Sequence, residues 1–256
     1  MSIKNLEPNG LWKNFYELTQ IPRPSKKEEK VVAFLKQFGE NLGLETIVDK
    51  VGNVIIRKPA TPGYEDRMGV VLQAHVDMVP QKNSDKVHDF EKDPIETRIE
   101  DGWVKANGTT LGADNGVGAA AAMAVLEATD LVHGPIEGLF TVDEETGMTG
   151  ANALEPGVSK GDILINMDSE TEGELYVGCA GGIDTCGYFT PKFEDVPAGS
   201  KAFQLIVKGL KGGHSGMDII LGRANANKVM NALLLKATEK FNARVADIQG
   251  GSLRNA

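Results

Sequence analysis

The stretch Leu139-Phe-Thr-Val-Asp-Glu-Glu-Thr-Gly147 decides how this chain is read. Its apolar, β-branched lead-in, Ile136 to Val142 interrupted by Glu137 and Gly138, has the character of a buried strand. That strand runs into three consecutive carboxylates, Asp143, Glu144 and Glu145, followed closely by Gly147. Two like charges about 4 Å apart repel by roughly 4 kcal/mol at an effective dielectric near 20, so such a cluster needs either water or a cation. From this stretch alone, a solvated loop and a cation site both stay open.

Working outward, the same pattern recurs. Gly69-Val-Val-Leu-Gln-Ala-His-Val-Asp77 is a nearly continuous apolar run, suited to a strand covered on both faces. It ends in His-x-Asp. Positions two apart on an extended chain share a face, so His75 and Asp77 point the same way. Taken singly, His-x-Asp is a weak signal, and His75 reads better as a satisfied core histidine. Gly161-Asp-Ile-Leu-Ile-Asn-Met-Asp168 is a further apolar strand that ends in a carboxylate. Between them, Leu111-Gly-Ala-Asp-Asn-Gly-Val-Gly118 opens an alanine-rich helix through Ala128. A phosphate-cradling loop is disfavoured there, because Asp114 puts a negative charge where an anion would sit. Asp114 is then a helix cap, favourable by roughly 0.3–1 kcal/mol, or a cation ligand.

The flanking segments read as scaffold. Residues 9–20 have helical spacing, and Pro22 and Pro24 break the chain after them. Ser25-Lys-Lys-Glu28 has the form of a capping box opening a second helix through Val31, Leu35 and Phe38. Strands are expected at 46–48 and 53–57, with a hairpin over 95–106 turning at Asp101-Gly102. Further strands are expected at 173–177, 183–189 and 202–208, around a Gly-Cys-Ala-Gly-Gly turn and a Pro/Gly-rich boundary loop at 191–199. A helix over 224–239 would bury Val229, Leu233 and Leu234, while His88 and His133 sit in surface loops. The fold class expected is α/β: a mixed, largely parallel sheet flanked by helices over 1–190, then the start of a smaller α+β domain over 191–256.

Composition narrows the function. The 256 residues are 41% hydrophobic and 25% charged, as in a globular protein. A net charge of −9 argues against nucleic acid or an anionic membrane as partner. No apolar run approaches the roughly 18 residues of a membrane span. The N-terminus lacks a hydrophobic signal core, so a cytoplasmic location is expected. Cys179 and Cys186 fit neither a disulfide framework nor a Cys-x-x-Cys knuckle, and are expected to be free, buried thiols.

Four acidic or imidazole segments thus fall at strand ends or a helix start, and in open α/β sheets such ends gather into one site. One imidazole and several carboxylates suit zinc, manganese or cobalt, and two divalent ions would offset the repulsion. His75-Val-Asp77, Gly112-Ala-Asp-Asn115, Asp143-Glu-Glu145, Asn166-Met-Asp168 and Gly212-Gly-His-Ser-Gly216 resemble, in order, the co-catalytic zinc aminopeptidase–carboxypeptidase–aminoacylase family. The longer strings His75-Val-Asp-Met-Val-Pro-Gln-Lys-Asn83, Asp143-Glu-Glu-Thr-Gly-Met-Thr-Gly-Ala151 and Ile165-Asn-Met-Asp-Ser-Glu-Thr-Glu-Gly173 are similar to the aminoacyl-histidine (cytosol nonspecific) dipeptidases within it.

That resemblance implies hydrolysis of dipeptides, Xaa-His pairs and broader, at a dinuclear Zn2+ site that Co2+ or Mn2+ would also fill. His75 and Asp168 would hold one ion, Glu145 the other and Asp114 both. Glu144 would be the general base, Asp77 would orient His75, and His214 in a lid domain would polarise the scissile carbonyl. It also implies a cis Asp114–Asn115 peptide and a lid surface for a homodimer. In the family a C-terminal segment after the lid supplies a further histidine ligand, whereas no histidine follows His214 here. The chain therefore reads as the N-terminal half of a longer protein, itself expected to be inactive. An N-acyl amino acid deacylase and a catalytically silent metal-binding or dimerisation module are the rival readings.

Overall fold

The computed structural model describes residues 2–179, 181, 183, 185–214 and 218–251. Ser215 and Gly216 of the histidine loop, parts of the 178–182 turn and of the 183–189 segment, and the last five residues lie outside that description. The chain divides into two compact units, Met1–Gly181 and Gly182–Ala256.

In the first unit, helices α1 (Asn9–Thr19) and α2 (Glu29–Asn41) precede strands β1 (Glu45–Val48), β2 (Val54–Lys58) and β3 (Val70–His75). The hairpin β4 (Thr97–Glu100) and β5 (Trp103–Ala106) follows, then α3 (Ala113–Glu127) and β6 (Ile136–Thr141). Two single-turn helices, α4 (Glu144–Gly147) and α5 (Thr149–Asn152), lead to β7 (Ile163–Asn166). The sheet order is β1-β2-β6-β3-β7, with β6, β3 and β7 mutually parallel and β2 antiparallel to both β1 and β6. It is the mixed, helix-flanked α/β sheet expected. The expected hairpin forms too, with positive φ at both Asp101 and Gly102 as a tight two-residue turn requires.

Strand alternation splits the apolar side chains between two faces. Val54, Ile56, Leu72, Ala74 and Phe140 pack with Phe15, Leu18, Val31, Leu35 and the alanine face of α3 into the main core. Ile55, Val71 and Leu139 point to the other face, against Leu154 and Val158. Small side chains on α3 let it lie close to the sheet, and its head therefore sits near the strand ends that carry the carboxylates. At the sheet edge, β7 is exposed along its length.

Other expectations are corrected. The second helix starts at Glu29, and neither Ser25 nor Glu28 caps it: their side chains reach Asp77 and Asp143 instead. No strand forms among the described residues of 173–177, 183–189 and 202–208. Alternating apolar residues specify a strand only where a neighbour supplies the hydrogen-bond ladder. The second unit contains α6 (Ala226–Phe241), whose start is capped by the Asn225 side chain accepting from the Lys228 amide at 3.1 Å. Its apolar stripe is not buried, and Leu233 is exposed. Cys179 and Cys186 are free as expected, but exposed, because their segments pack into neither core cluster.

Candidate metal centre

Four elements of the first unit end at one place. β3 delivers His75 and, two residues on, Asp77; both are buried, at 1% and 0% exposure. Gly112 takes a φ of 70°, a left-handed turn that suits glycine, and turns the chain into the start of α3. There Asp114 and Asn115 depart from helical geometry and the peptide between them is cis. β6 delivers Asp143, Glu144 and Glu145, and β7 delivers Asp168.

His75 is the hub. Its Nε2 lies 3.0 Å from Asp114 Oδ1, 3.7 Å from Asp168 Oδ1 and 3.9 Å from Glu144 Oε2. Donor atoms of His75, Asp114 and Glu145 all lie within 4.8 Å of one another, close enough to share an ion. On the other side of the ring, Nδ1 lies 3.2 Å from Asp77 Oδ1. Of the residues singled out in the sequence, His75, Asp77, Asp114, Glu144, Glu145 and Asp168 thus converge. His214 is exposed in the second unit, where its amide donates to Asp218 Oδ2 at 2.9 Å.

Asp77 is held from several directions. It accepts from the amides of Glu144 (3.0 Å) and Glu145 (3.2 Å) and from the Ser25 hydroxyl (2.8 Å). Burial pushes its carboxyl up, but the contacts with His75, the Glu144 amide and Ser25 outweigh this and hold it below the usual range. Asp143 sits in the left-handed region and accepts from the hydroxyls of Thr146 and Thr149, while its own amide donates to Glu28 Oε1 at 3.0 Å. Glu28, Asp77 and Asp143 form a second acidic group. These amide and hydroxyl contacts make it scaffolding for the first group.

The front carboxylates are in a different state. Burial pushes Glu145 up to about 7, with the charge of Asp114 adding to it. Burial and Asp114 likewise hold Asp168 at about 7, against the opposing pull of His75. Burial alone would lower the His75 pKa, yet its contacts with Asp114 and Asp77 outweigh this and place it at about 10. Protons are therefore retained where negative charge converges, which is the role a divalent cation fills more completely. An imidazole nitrogen and several carboxylate oxygens, with a carboxylate behind the imidazole, form a donor set that fits such an ion.

Three positions escaped the sequence reading. Arg23, flanked by two prolines, is buried beneath the cluster. Asn53 is fully buried, accepts from the Val142 amide and donates to the Gly150 carbonyl, which fixes both ends of the Asp143–Thr149 turn. Gln73 links Thr141 on β6 to Asn166 on β7, and Asn166 in turn accepts from the Asp168 amide. The signal available for Arg23 was a charged residue held between prolines at the edge of an apolar helix.

Residues 71–179 match the model of peptidase family M20/M25/M40. The chain is 52% identical over 254 residues to the cytosol non-specific dipeptidase of Escherichia coli (strain K12), covering 99% of this chain and 52% of that protein. The crystal structure of aminoacylhistidine dipeptidase from Vibrio alginolyticus superposes with a TM-score of 0.70 at 49% identity, covering 100% of this chain and 52% of the other. That of aminopeptidase PepT from Bacillus cereus gives 0.54 at 27% identity, over 65% of this chain and 44% of the other. The chain spans about half the length of the curated relatives it matches.

Proposed function

We propose, from the premise that this chain is a homologue of the dipeptidases in peptidase family M20/M25/M40, that it carries the metal-holding half of a dipeptide-hydrolysing centre. The observation that carries this reading is the convergence of Asp114, Glu144 and Asp168 on His75 Nε2, within 3.9 Å. His75 and Asp168 are assigned to one Zn2+, Glu145 to a second, and Asp114 to both, with Co2+ or Mn2+ as substitutes. Divalent ions there supply Lewis acidity and make water a better nucleophile at neutral pH.

The chain's own side chains do the rest. Asp77 fixes the orientation of the His75 ring and stays ionised behind it. Glu144 is the cluster's carboxylate left over after the metal assignments, and its position at the head of α4 leaves it accessible. We assign it to take the proton of the attacking water and to return it to the leaving amine. His214 keeps the role of carbonyl polariser from the family resemblance alone. The 1–190 segment is assigned to the catalytic domain and 191–256 to the lid. A cytoplasmic location is supported by the name of the Escherichia coli relative; among the described residues no helix is long and apolar enough to cross a membrane.

The test is turnover by the whole protein of Xaa-His and other dipeptides beside N-acetyl amino acids, before and after chelation and with Zn2+ restored. Dipeptide cleavage lost on chelation and regained with Zn2+ is expected. Cleavage of N-acetyl amino acids in place of dipeptides would reassign the substrate, and activity unaffected by exhaustive chelation would reject the metal reading.

A further inference from the structure

We propose that Arg23 is a positioning residue of the metal centre, whose buried guanidinium fastens the loop after β3 to the loop before α3 and so fixes His75 against Asp114. The inference rests on the reading of that cluster as a metal centre. Arg23 is 2% exposed, and its Nη1 donates to the carbonyls of Val76 at 2.8 Å and Asp77 at 3.1 Å. From the same group, Nη2 donates to the Gly112 carbonyl at 2.5 Å. The first two acceptors follow His75 directly in the chain, and the third lies two residues before Asp114. The carbonyl of Arg23 closes the clamp by accepting from the Met78 amide at 3.1 Å, beside a parallel bridge between Pro24 and Met78.

The surrounding sequence makes room for this fork. A Cβ on Gly112 or on Gly116 would lie 2.6 Å from Arg23 Nη2, inside van der Waals contact. Both glycines therefore leave the volume that the guanidinium fills. Burying a cation is costly, and burial lowers the Arg23 pKa to about 10, but three carbonyl acceptors and the nearby charges of Asp77, Asp114 and Glu145 offset part of that cost. Lysine would keep the charge but not the planar fork that reaches two loops at once. Without the fork, the two loops are joined farther out, where Thr110 donates to Val79 and Gln81, and the 3.0 Å approach of His75 Nε2 to Asp114 Oδ1 loses its nearest tether.

Cobalt binding tests this without relying on turnover. Co2+ is titrated into the metal-free chain and into Arg23→Lys, Arg23→Gln and Leu35→Ala. Affinity is read by chelator competition, and ligand geometry by the visible ligand-field absorption of the bound ion. Arg23→Lys is expected to weaken Co2+ roughly 10–100-fold, as loss of an outer partner of metal ligands does, and to change the absorption band. Leu35→Ala opens the core under α2, away from both loops, and is expected to lower thermal stability while leaving affinity and band of the folded chain unchanged. Should Arg23→Gln fail to fold, Arg23→Lys carries the comparison. Unaltered affinity and band in the Arg23 variants would overturn the inference while leaving the metal reading intact. Absence of Co2+ uptake by the unaltered chain would overturn the metal reading, and this inference with it.

Discussion

Asp77 and Asp168 are carboxylates at the ends of two neighbouring parallel strands, yet they live in opposite conditions. Asp77 is fully buried, accepts two amides and a hydroxyl, and has its pKa held low. Asp168 is partly open to solvent, faces Asp114 across the cluster and is pushed up to about 7. The contrast extends to their neighbours. Arg23, Ser25, Asp77 and Asp143 form a floor in which the chain itself pairs the carboxylates, the Ser25 hydroxyl and both terminal nitrogens of Arg23. Asp114, Glu144, Glu145 and Asp168 form a rim whose charges oppose one another. The floor is stabilised by its own contacts, and the rim is the part that the proposed cation would stabilise. Substitutions in the floor should therefore cost stability, and metal as well where the group holds the ligand loops, as Arg23 does, whereas those in the rim should cost metal or chemistry.

The largest effect expected on this view is a pure loss of chemistry. Glu144→Gln in the whole protein should lower dipeptide turnover roughly 10²–10⁴-fold, the usual worth of a general base. Bound metal and the unfolding midpoint should stay near those of the unaltered protein, because the Glu144 amide still donates to Asp77. Metal analysis alongside kinetics and urea unfolding decides this. Loss of metal from this variant would mean that Glu144 and Glu145 have exchanged roles.

The floor should behave in the reverse way. Asp77→Ala leaves the half-buried Glu144 and Glu145 amides without their acceptor and His75 Nδ1 without its charged neighbour at 3.2 Å, and breaking a buried charged pair costs about 3–5 kcal/mol. Urea unfolding of the metal-free chain should show that loss directly. A loss below about 1 kcal/mol would dissolve the distinction between floor and rim.

How much of this contrast was legible in the sequence follows from its chemistry. The rim was readable because Glu144, Glu145 and Asp168 follow apolar runs and Asp114 opens an alanine-rich helix, places where a carboxylate is conspicuous. The Asp101-Gly102 turn was readable for a similar local reason. Of the floor, Asp77 and Asp143 were readable but their supports were not, since Ser25-x-x-Glu28 satisfies the capping pattern whether its oxygens bond their own helix or reach Asp77 and Asp143. That choice is made by long-range packing of α2 against β1 and β2. The strands expected near 173–177, 183–189 and 202–208 failed for the complementary reason. Periodicity marks a segment able to pair, and among the described residues none of these has a ladder partner.

A smaller effect concerns pH and the metal-free chain. Glu145 and Asp168 rise from ordinary values of 4.5 and 3.8 to about 7 in the fold. Between roughly pH 4 and 7 the folded chain thus holds protons that the unfolded chain has released, so stability falls as pH rises through that window. The imidazole adds in the same direction: with a pKa of about 10 against 6.5, its stabilisation is present below pH 6.5 and is lost on the way to pH 10. Unfolding free energy of the metal-free chain should therefore be lower at pH 8 than at pH 5.5. Asp168→Asn should reduce this slope, and saturating Zn2+ should flatten or reverse it. An equal slope with and without metal would separate the rim from cation binding.

The smallest effect sharpens the boundary between the two regions. The Ser25 hydroxyl donates to Asp77 Oδ2 at 2.8 Å, so Ser25 belongs to the floor. Among the described residues it is also the one side-chain hydroxyl that donates to Asp77. A neutral hydroxyl bonded to a carboxylate contributes about 1 kcal/mol, and removing it leaves Asp77 with two amides and the imidazole. Ser25→Ala should accordingly lower the stability of the metal-free chain by about 1 kcal/mol, and Co2+ affinity should change by no more than a few-fold. Floor groups differ in how directly they hold the ligands: Arg23 binds both ligand loops, whereas Ser25 touches Asp77 alone. If Ser25→Ala instead costs metal affinity as heavily as Arg23→Lys while leaving stability unchanged, the hydroxyl acts through the charge of Asp77 on His75. Ser25 and Asp77 would then belong with the rim, joined to the metal ligands through charge.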